Sequence, residues 1–295
     1  MSWELPPERP GAPAPESLIA RRDGAAAMMA DQPAAPGTTA KDASIGGIGC
    51  VVCRPEAPTS TVLYLHGGGY RLGTARSWVS FATGLAASAS TEMVIADYRL
   101  APEHPFPAAL HDAAAVWDSL QAERTGPVFV AGDSAGGGLA VALTLAARLS
   151  GAPLPDGVIV LSPWVDLTLD SDTFNTRADT DQFFPKASAV EAAESYLQGA
   201  DPRQALVSPL LADLAGFPKT LIFAGGAETL LGDGLGLCTS LVNAGVSVEA
   251  HFPAGMQHVW PTLFPDLPES IDAKAAITRF VLGTPRGDAH SSAPA

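Results

Sequence analysis

Gly132-Asp133-Ser134-Ala135-Gly136-Gly137 is the stretch whose reading decides the fold. An apolar run at 128–131 feeds straight into it and an Ala/Leu-rich run at 137–149 leaves it, the pattern of a buried strand that turns sharply into a helix. A β-carbon at Gly132 or Gly136 would meet neighbouring backbone or force a disallowed φ in so tight a turn, which leaves Ser134 pushed into the open. The helix that follows aims its free N-terminal amides at the same point, where they favour negative charge as it develops, and the amide of Ala135 is expected among them. The bland alternative is a glycine-rich turn holding an incidental serine. Other stretches of the chain decide against it.

With 295 residues, 47% of them hydrophobic, the chain can bury one large core, and a single catalytic domain with an accessory cap is expected. A formal charge of −14 argues against nucleic-acid or anionic-membrane partners and favours neutral or cationic small substrates. Three cysteines are too few for a disulfide framework. Cys50 and Cys53, three apart in a strand-like segment, point to opposite faces and make no metal site. Residues 1–15 are rich in proline and acidic groups and lack a basic, then apolar, leader pattern. No apolar run is long enough to span a bilayer, so a soluble, reduced, cytoplasmic protein is expected.

Residues 16–31 read as a helix whose Leu18, Ile19, Met28 and Met29 need cover. An early strand follows at 45–53, and its glycines 46, 47 and 49 form no phosphate loop, because no helix start or lysine comes after them. The short strand 61–65 runs into His66-Gly67-Gly68-Gly69-Tyr70. Three consecutive glycines cost conformational entropy and are kept where amides must approach something closely. Acyl transfer has that need, because backbone donors fixed around an oxyanion are each worth about 2.7–4 kcal/mol. Gly68, Gly69 and Ala135 are assigned as those donors, and His66 reads as a buttress of the loop rather than a base. Prolines 102, 105 and 107 make 97–107 a fixed loop, in which Arg99 and Glu103 read as a structural ion pair or brace, with His104 of the same standing.

HGGGY (66–70), DYRLAPEHPFPAAL (97–110) and GDSAGG (132–137), in this order, resemble the hormone-sensitive-lipase-like bacterial esterases of the α/β-hydrolases. The likeness continues through SPWVDL (162–167), SPLLADL (208–214), AETLLGD (227–233) and GMQHVW (255–260), and it spans about 45–282. It implies an α/β fold with a mostly parallel eight-stranded sheet flanked by helices, and a small helical cap built from the N-terminal segment and an insertion after the sixth strand. The expected division is 1–45 for the N-terminal cap segment, 46–165 and 206–283 for the catalytic domain, 166–205 for the cap insertion and 284–295 for a disordered tail. Within the insertion, 186–198 has helical spacing with Val190, Ala193 and Leu197 on one face. Phe183, Phe184 and Tyr196 are candidates either to touch substrate or to pack cap against core.

A carboxylate just after the strand 219–224 stands where open α/β sheets put their sites. Glu228 occupies that place, although many members of the resembled family carry aspartate there, and Asp233 is its competitor. His258 follows both, which gives the order serine, acid, histidine. The expected chemistry is hydrolysis of a small carboxylic ester through an acyl-enzyme, with Ser134 as nucleophile, His258 as base and Glu228 as orienting acid, and it calls for no cofactor and no metal. The resemblance implies short to medium acyl chains, and homodimerisation through the last strand's edge. Amide or lactone hydrolysis is a rival on the same site, and non-catalytic binding of a small ligand is a rival on the same fold.

Overall fold

The structure, a computed structural model, describes residues 3–29 and 33–283. In chain order its elements are α1 (Glu16–Met29), β1 (Thr38–Ile45), β2 (Ile48–Pro55), β3 (Ser60–Leu65), α2 (Val79–Ala89), β4 (Thr91–Ala96), α3 (Ala108–Glu123), β5 (Val128–Asp133) and α4 (Ala135–Leu149). They continue with β6 (Val158–Leu161), α5 (Thr173–Thr176), α6 (Lys186–Leu197), β7 (Thr220–Phe223), α7 (Leu231–Asn243), β8 (Val248–His251), α8 (Trp260–Leu263) and α9 (Pro268–Leu282). The strands form an eight-stranded sheet in the order β1-β2-β4-β3-β5-β6-β7-β8, antiparallel where β1 meets β2 and β2 meets β4, and parallel elsewhere. The chain is therefore an α/β-fold protein with the mostly parallel sheet expected of it.

Parallel strands are covered on both faces, so they read as unbroken apolar runs, and β3 to β7 do so. One face packs on α3, α4, α6 and α7, and the other on α2 and α9. Cys50 joins the first core and Cys53 the second, on opposite faces as their spacing requires. Helix α4 is buried all round from Ala135 to Ala147, and Leu139, Leu143 and Leu145 each contribute about 1.5–3 kcal/mol by leaving water.

Three details differ from the sequence reading. The strand expected over 45–53 is the second arm of a hairpin, whose first arm, β1, lies inside the 1–45 stretch expected to be cap. On α6 the buried face is Ala189, Ala192, Ala193, Tyr196 and Leu197, so Ala193 and Leu197 are buried as expected while Val190 faces solvent; the helix rests on the Tyr70 ring through Tyr196 (centroids 3.8 Å apart). Arg99 and Glu103 do not pair with each other: Arg99 binds Asp112 and Glu8, and Glu103 takes both terminal nitrogens of Arg22. Both pairs tie the N-terminal segment to the proline loop. On α1, Leu18 is buried and Ile19 is exposed; the side chains of Met28 and Met29 and the tail at 284–295 lie outside the described residues.

Packing is tight at the start of α4, where a Cβ on Gly136 would overlap the carbonyl oxygens of Leu65 and His66. Gly136→Ala must push α4 off β3, at a cost of roughly 3 kcal/mol, and it is expected to lower the melting temperature by about 6–12 °C. A melt within about 2 °C of the parent would contradict this packing.

Candidate active site

Ser134 closes β5 and precedes α4 with φ 53° and ψ −122°, a conformation that costs a non-glycine residue about 1–3 kcal/mol. Its surroundings hold it there. Its amide donates to Leu161 O (2.8 Å), and its carbonyl accepts from Gly138 N (3.1 Å) and Trp164 N (2.9 Å). The side chain is thereby set at the carboxyl edge of the sheet, where the loops after β3, β7 and β8 also arrive.

His258 lies in the loop between β8 and α8. Its Nε2 is 2.9 Å from Ser134 Oγ, and its Nδ1 is 2.8 Å from Glu228 Oε2. The other carboxylate oxygen, Oε1, accepts from Gly225 N at 2.6 Å. Ser134, Glu228 and His258, predicted from far-apart motifs, thus form one buried hydrogen-bonded line. Asp233 does not reach it. It sits in the first turn of α7 and accepts from the amides of Val165 and Asp166, and burial pushes its carboxyl up to about 8.

Burial works against a charged imidazole at His258, but the hydrogen bond and charge of Glu228 outweigh it, and the pKa is raised above the ordinary value. Burial also raises Glu228, against the donors that face it. Among those donors is Ser162, fully buried, whose Oγ accepts from Val259 N (2.9 Å). Val259 itself has φ 53°, so the backbone turns sharply just after the imidazole. The motif SPWVDL pointed to this region, yet nothing in it marked Ser162 as the residue that braces both His258's loop and Glu228.

Gly68 and Gly69 have φ values of 115° and 62°, which only glycine adopts readily. Among the described residues no carbonyl or side chain accepts from the amides of Gly68, Gly69 or Ala135. Asp133 fixes the loop to the turn: its Oδ1 accepts from Gly67 N (2.9 Å) and Tyr64 Oη (2.8 Å), and burial pushes its carboxyl up to about 6. His66 is stacked between Trp78 and Tyr98 and donates through Nδ1 to Gly67 O (2.8 Å). Burial lowers its pKa, and it holds the loop from beneath without touching Ser134.

A cavity of about 240 Å³ opens over this line, and its lining includes Gly68, Gly69, Arg71, Ser134, Phe184 and His258. Phe184 stacks on the His258 ring at 5.5 Å, and exposed Phe183 joins the rim. Tyr196 packs against Tyr70 and Phe106 and is not part of the lining. Asp181, unmarked in the sequence reading, accepts from the amides of Phe183, Phe184 and Thr229 and so sets where Phe184 lies. Burial alone would raise its carboxyl, but those amide donors outweigh it and hold it below the usual range.

The chain matches the alpha/beta hydrolase fold family over residues 62–262. It is 40% identical over 228 residues to an acetyl-hydrolase of Streptomyces hygroscopicus, across 76% of each chain. Among solved structures it is similar to a hormone-sensitive lipase from a metagenome library, with 35% identity and a TM-score of 0.88 over 92% of this chain and 93% of that one. It is likewise similar to an esterase from the bacterial hormone-sensitive lipase family, with 36% identity and a TM-score of 0.87 over 92% and 93%. A strand-to-helix serine, a glycine-rich loop beside it and this agreement along the chain lead to one conclusion: the protein belongs to the α/β-hydrolase family, as a carboxylic-ester hydrolase of the hormone-sensitive-lipase-like group.

Proposed function

We propose that the chain hydrolyses short to medium-chain carboxylic esters through an acyl-enzyme on Ser134. The observation that carries this reading is the continuous line from Ser134 Oγ through His258 to Glu228, with contacts of 2.9 and 2.8 Å. His258 Nε2 takes the hydroxyl proton as Oγ bonds to the ester carbonyl carbon, and the carbonyl oxygen becomes an oxyanion facing the amides of Gly68, Gly69 and Ala135. The carbon–oxygen bond to the alcohol then breaks, and the departing oxygen takes the proton from His258. A water, deprotonated by the same nitrogen, attacks the acyl carbon and releases the acid and the Ser134 hydroxyl. Glu228 keeps Nδ1 protonated and stabilises the imidazolium that forms twice in the cycle.

The size of the cavity, about 240 Å³, supports short acyl groups, since sites for drug-sized ligands run from about 300 to 1,000 Å³. The acetyl-hydrolase name of the Streptomyces relative points the same way.

Turnover of p-nitrophenyl butyrate by purified variants tests the roles. Ser134→Ala is expected to lose roughly 10⁴-fold or more in kcat, and Glu228→Gln roughly 10³–10⁴-fold. Asp233→Asn is expected to stay within about threefold, because its amide oxygen still accepts from Val165 and Asp166. Equal losses in Glu228→Gln and Asp233→Asn would remove Glu228 from the role assigned to it.

The pH profile gives a second test. The base must be neutral, and the Glu228 carboxylate raises the imidazole pKa, so the acid limb of kcat/KM is expected above about 6.5, the ordinary histidine value. In the residual activity of Glu228→Gln the limb should move to lower pH. A limb that does not move would show that the carboxylate leaves the base's protonation untouched.

A further inference from the structure

We infer that the cavity selects esters whose acyl or alcohol part carries a carboxylate, with Arg71 as the anion-binding residue; this rests on the esterase reading above. Arg71 follows the glycine loop by one residue and lines the same cavity as Ser134 and His258, yet its side chain is only 3% exposed. A guanidinium this deep normally has most of its donors matched, because a buried cation is costly unless paired. Here the pairing is incomplete. Nη1 lies 2.8 Å from Glu191 Oε1, while Nε is buried and has no partner among the described residues.

The partner is itself a loose one. Glu191 belongs to α6, and its side chain is 55% exposed. Its other oxygen, Oε2, lies 3.5 Å from Arg21 Nη1, and Arg21 also lines the cavity. Two guanidiniums therefore share one half-exposed carboxylate at the wall of the site. Asp133, the carboxylate that lines the cavity, accepts from Tyr64 and Gly67 and makes no ion pair with either guanidinium among the described residues. The Arg71 backbone is held on both sides, its amide by Gly68 O (3.1 Å) and its carbonyl by Arg22 Nε (2.7 Å), so the guanidinium has a fixed base. A planar fork of N–H donors with an unmatched edge suits a carboxylate, which can take two of them at once. Glu191 stands in for that group when the cavity is free and swings to solvent when substrate arrives. The chain's net charge of −14 pointed to neutral or cationic substrates, but the charge that meets a substrate is the local one.

The test compares matched pairs of substrates on each preparation, so that losses from misfolding cancel in the ratio. Mono-p-nitrophenyl adipate against p-nitrophenyl hexanoate places the carboxylate on the acyl side, and 4-acetoxybenzoate against phenyl acetate places it on the alcohol side. In at least one pair the ratio of kcat/KM, anionic over neutral, is expected to fall at least tenfold in Arg71→Gln, the loss typical of one charge-assisted hydrogen bond. In the same pair it should rise several-fold in Glu191→Gln, where the competing carboxylate is gone. If Arg71 only ties α6 to the loop, both members of each pair slow together, and ratios within twofold of the parent in both variants overturn the proposal. If the parent turns over none of the four esters, it is the esterase reading that has failed.

Discussion

The structure depends on one close approach, that of α4 to β3 and β5 at the turn containing Ser134. Gly132 and Gly136 let backbone pass backbone there, and any β-carbon would overlap carbonyl oxygens of Leu65, His66 or Gly136 itself. The positive φ of Ser134 is the consequence, maintained by hydrogen bonds from three directions. The same approach places the first amide of α4 beside the serine and brings the glycine loop after β3 alongside. The proposed nucleophile and the proposed oxyanion donors therefore come from one packing event.

The remaining groups reach this point through polar contacts that would be expensive if left unpaired. Glu228, Asp181 and Asp133 are all buried, and each accepts from at least one backbone amide close to the groups it positions. Ser162 and Val259 fix the backbone next to His258, and Asp181 fixes Phe184 against its ring. A chain of matched donors and acceptors in a low-dielectric site holds residues 134, 228 and 258 in contact across separations of 30 and 124 residues. Asp233, five residues past Glu228, is drawn into a different task because α7 has already begun and turns it toward the amides of Val165 and Asp166.

What could be read in advance follows from which forces are local. Strands β3 to β7 were legible because strands buried on both faces are apolar throughout, and the turn at Ser134 because its glycines leave a mark in sequence. Strand β1 (TTAKDASI) was not, since it lies at the sheet's edge, mostly open to solvent, and carries no apolar alternation. On α6 Ala193 and Leu197 are buried as read, but Val190 is not, and Ala189, Ala192 and Tyr196 cover the core in its place; the choice is set by what lies beneath the helix. The partners of Arg99 and Glu103 were hidden because Glu8 and Arg22 are 91 and 81 residues away, in a segment whose placement no pattern revealed. The unpaired edge of Arg71 was invisible for the same reason, since it depends on Glu191 in another element.

The central claim is that Ser134 is the nucleophile, activated by the His258–Glu228 pair. The most direct measurement is inactivation with diethyl p-nitrophenyl phosphate, followed by intact mass and peptide mapping. The account predicts that p-nitrophenol is released in step with loss of esterase activity, that one diethylphosphoryl group is gained per chain, and that it is located on Ser134. Full esterase activity after stoichiometric labelling, or inactivation with the label on another residue, would contradict it.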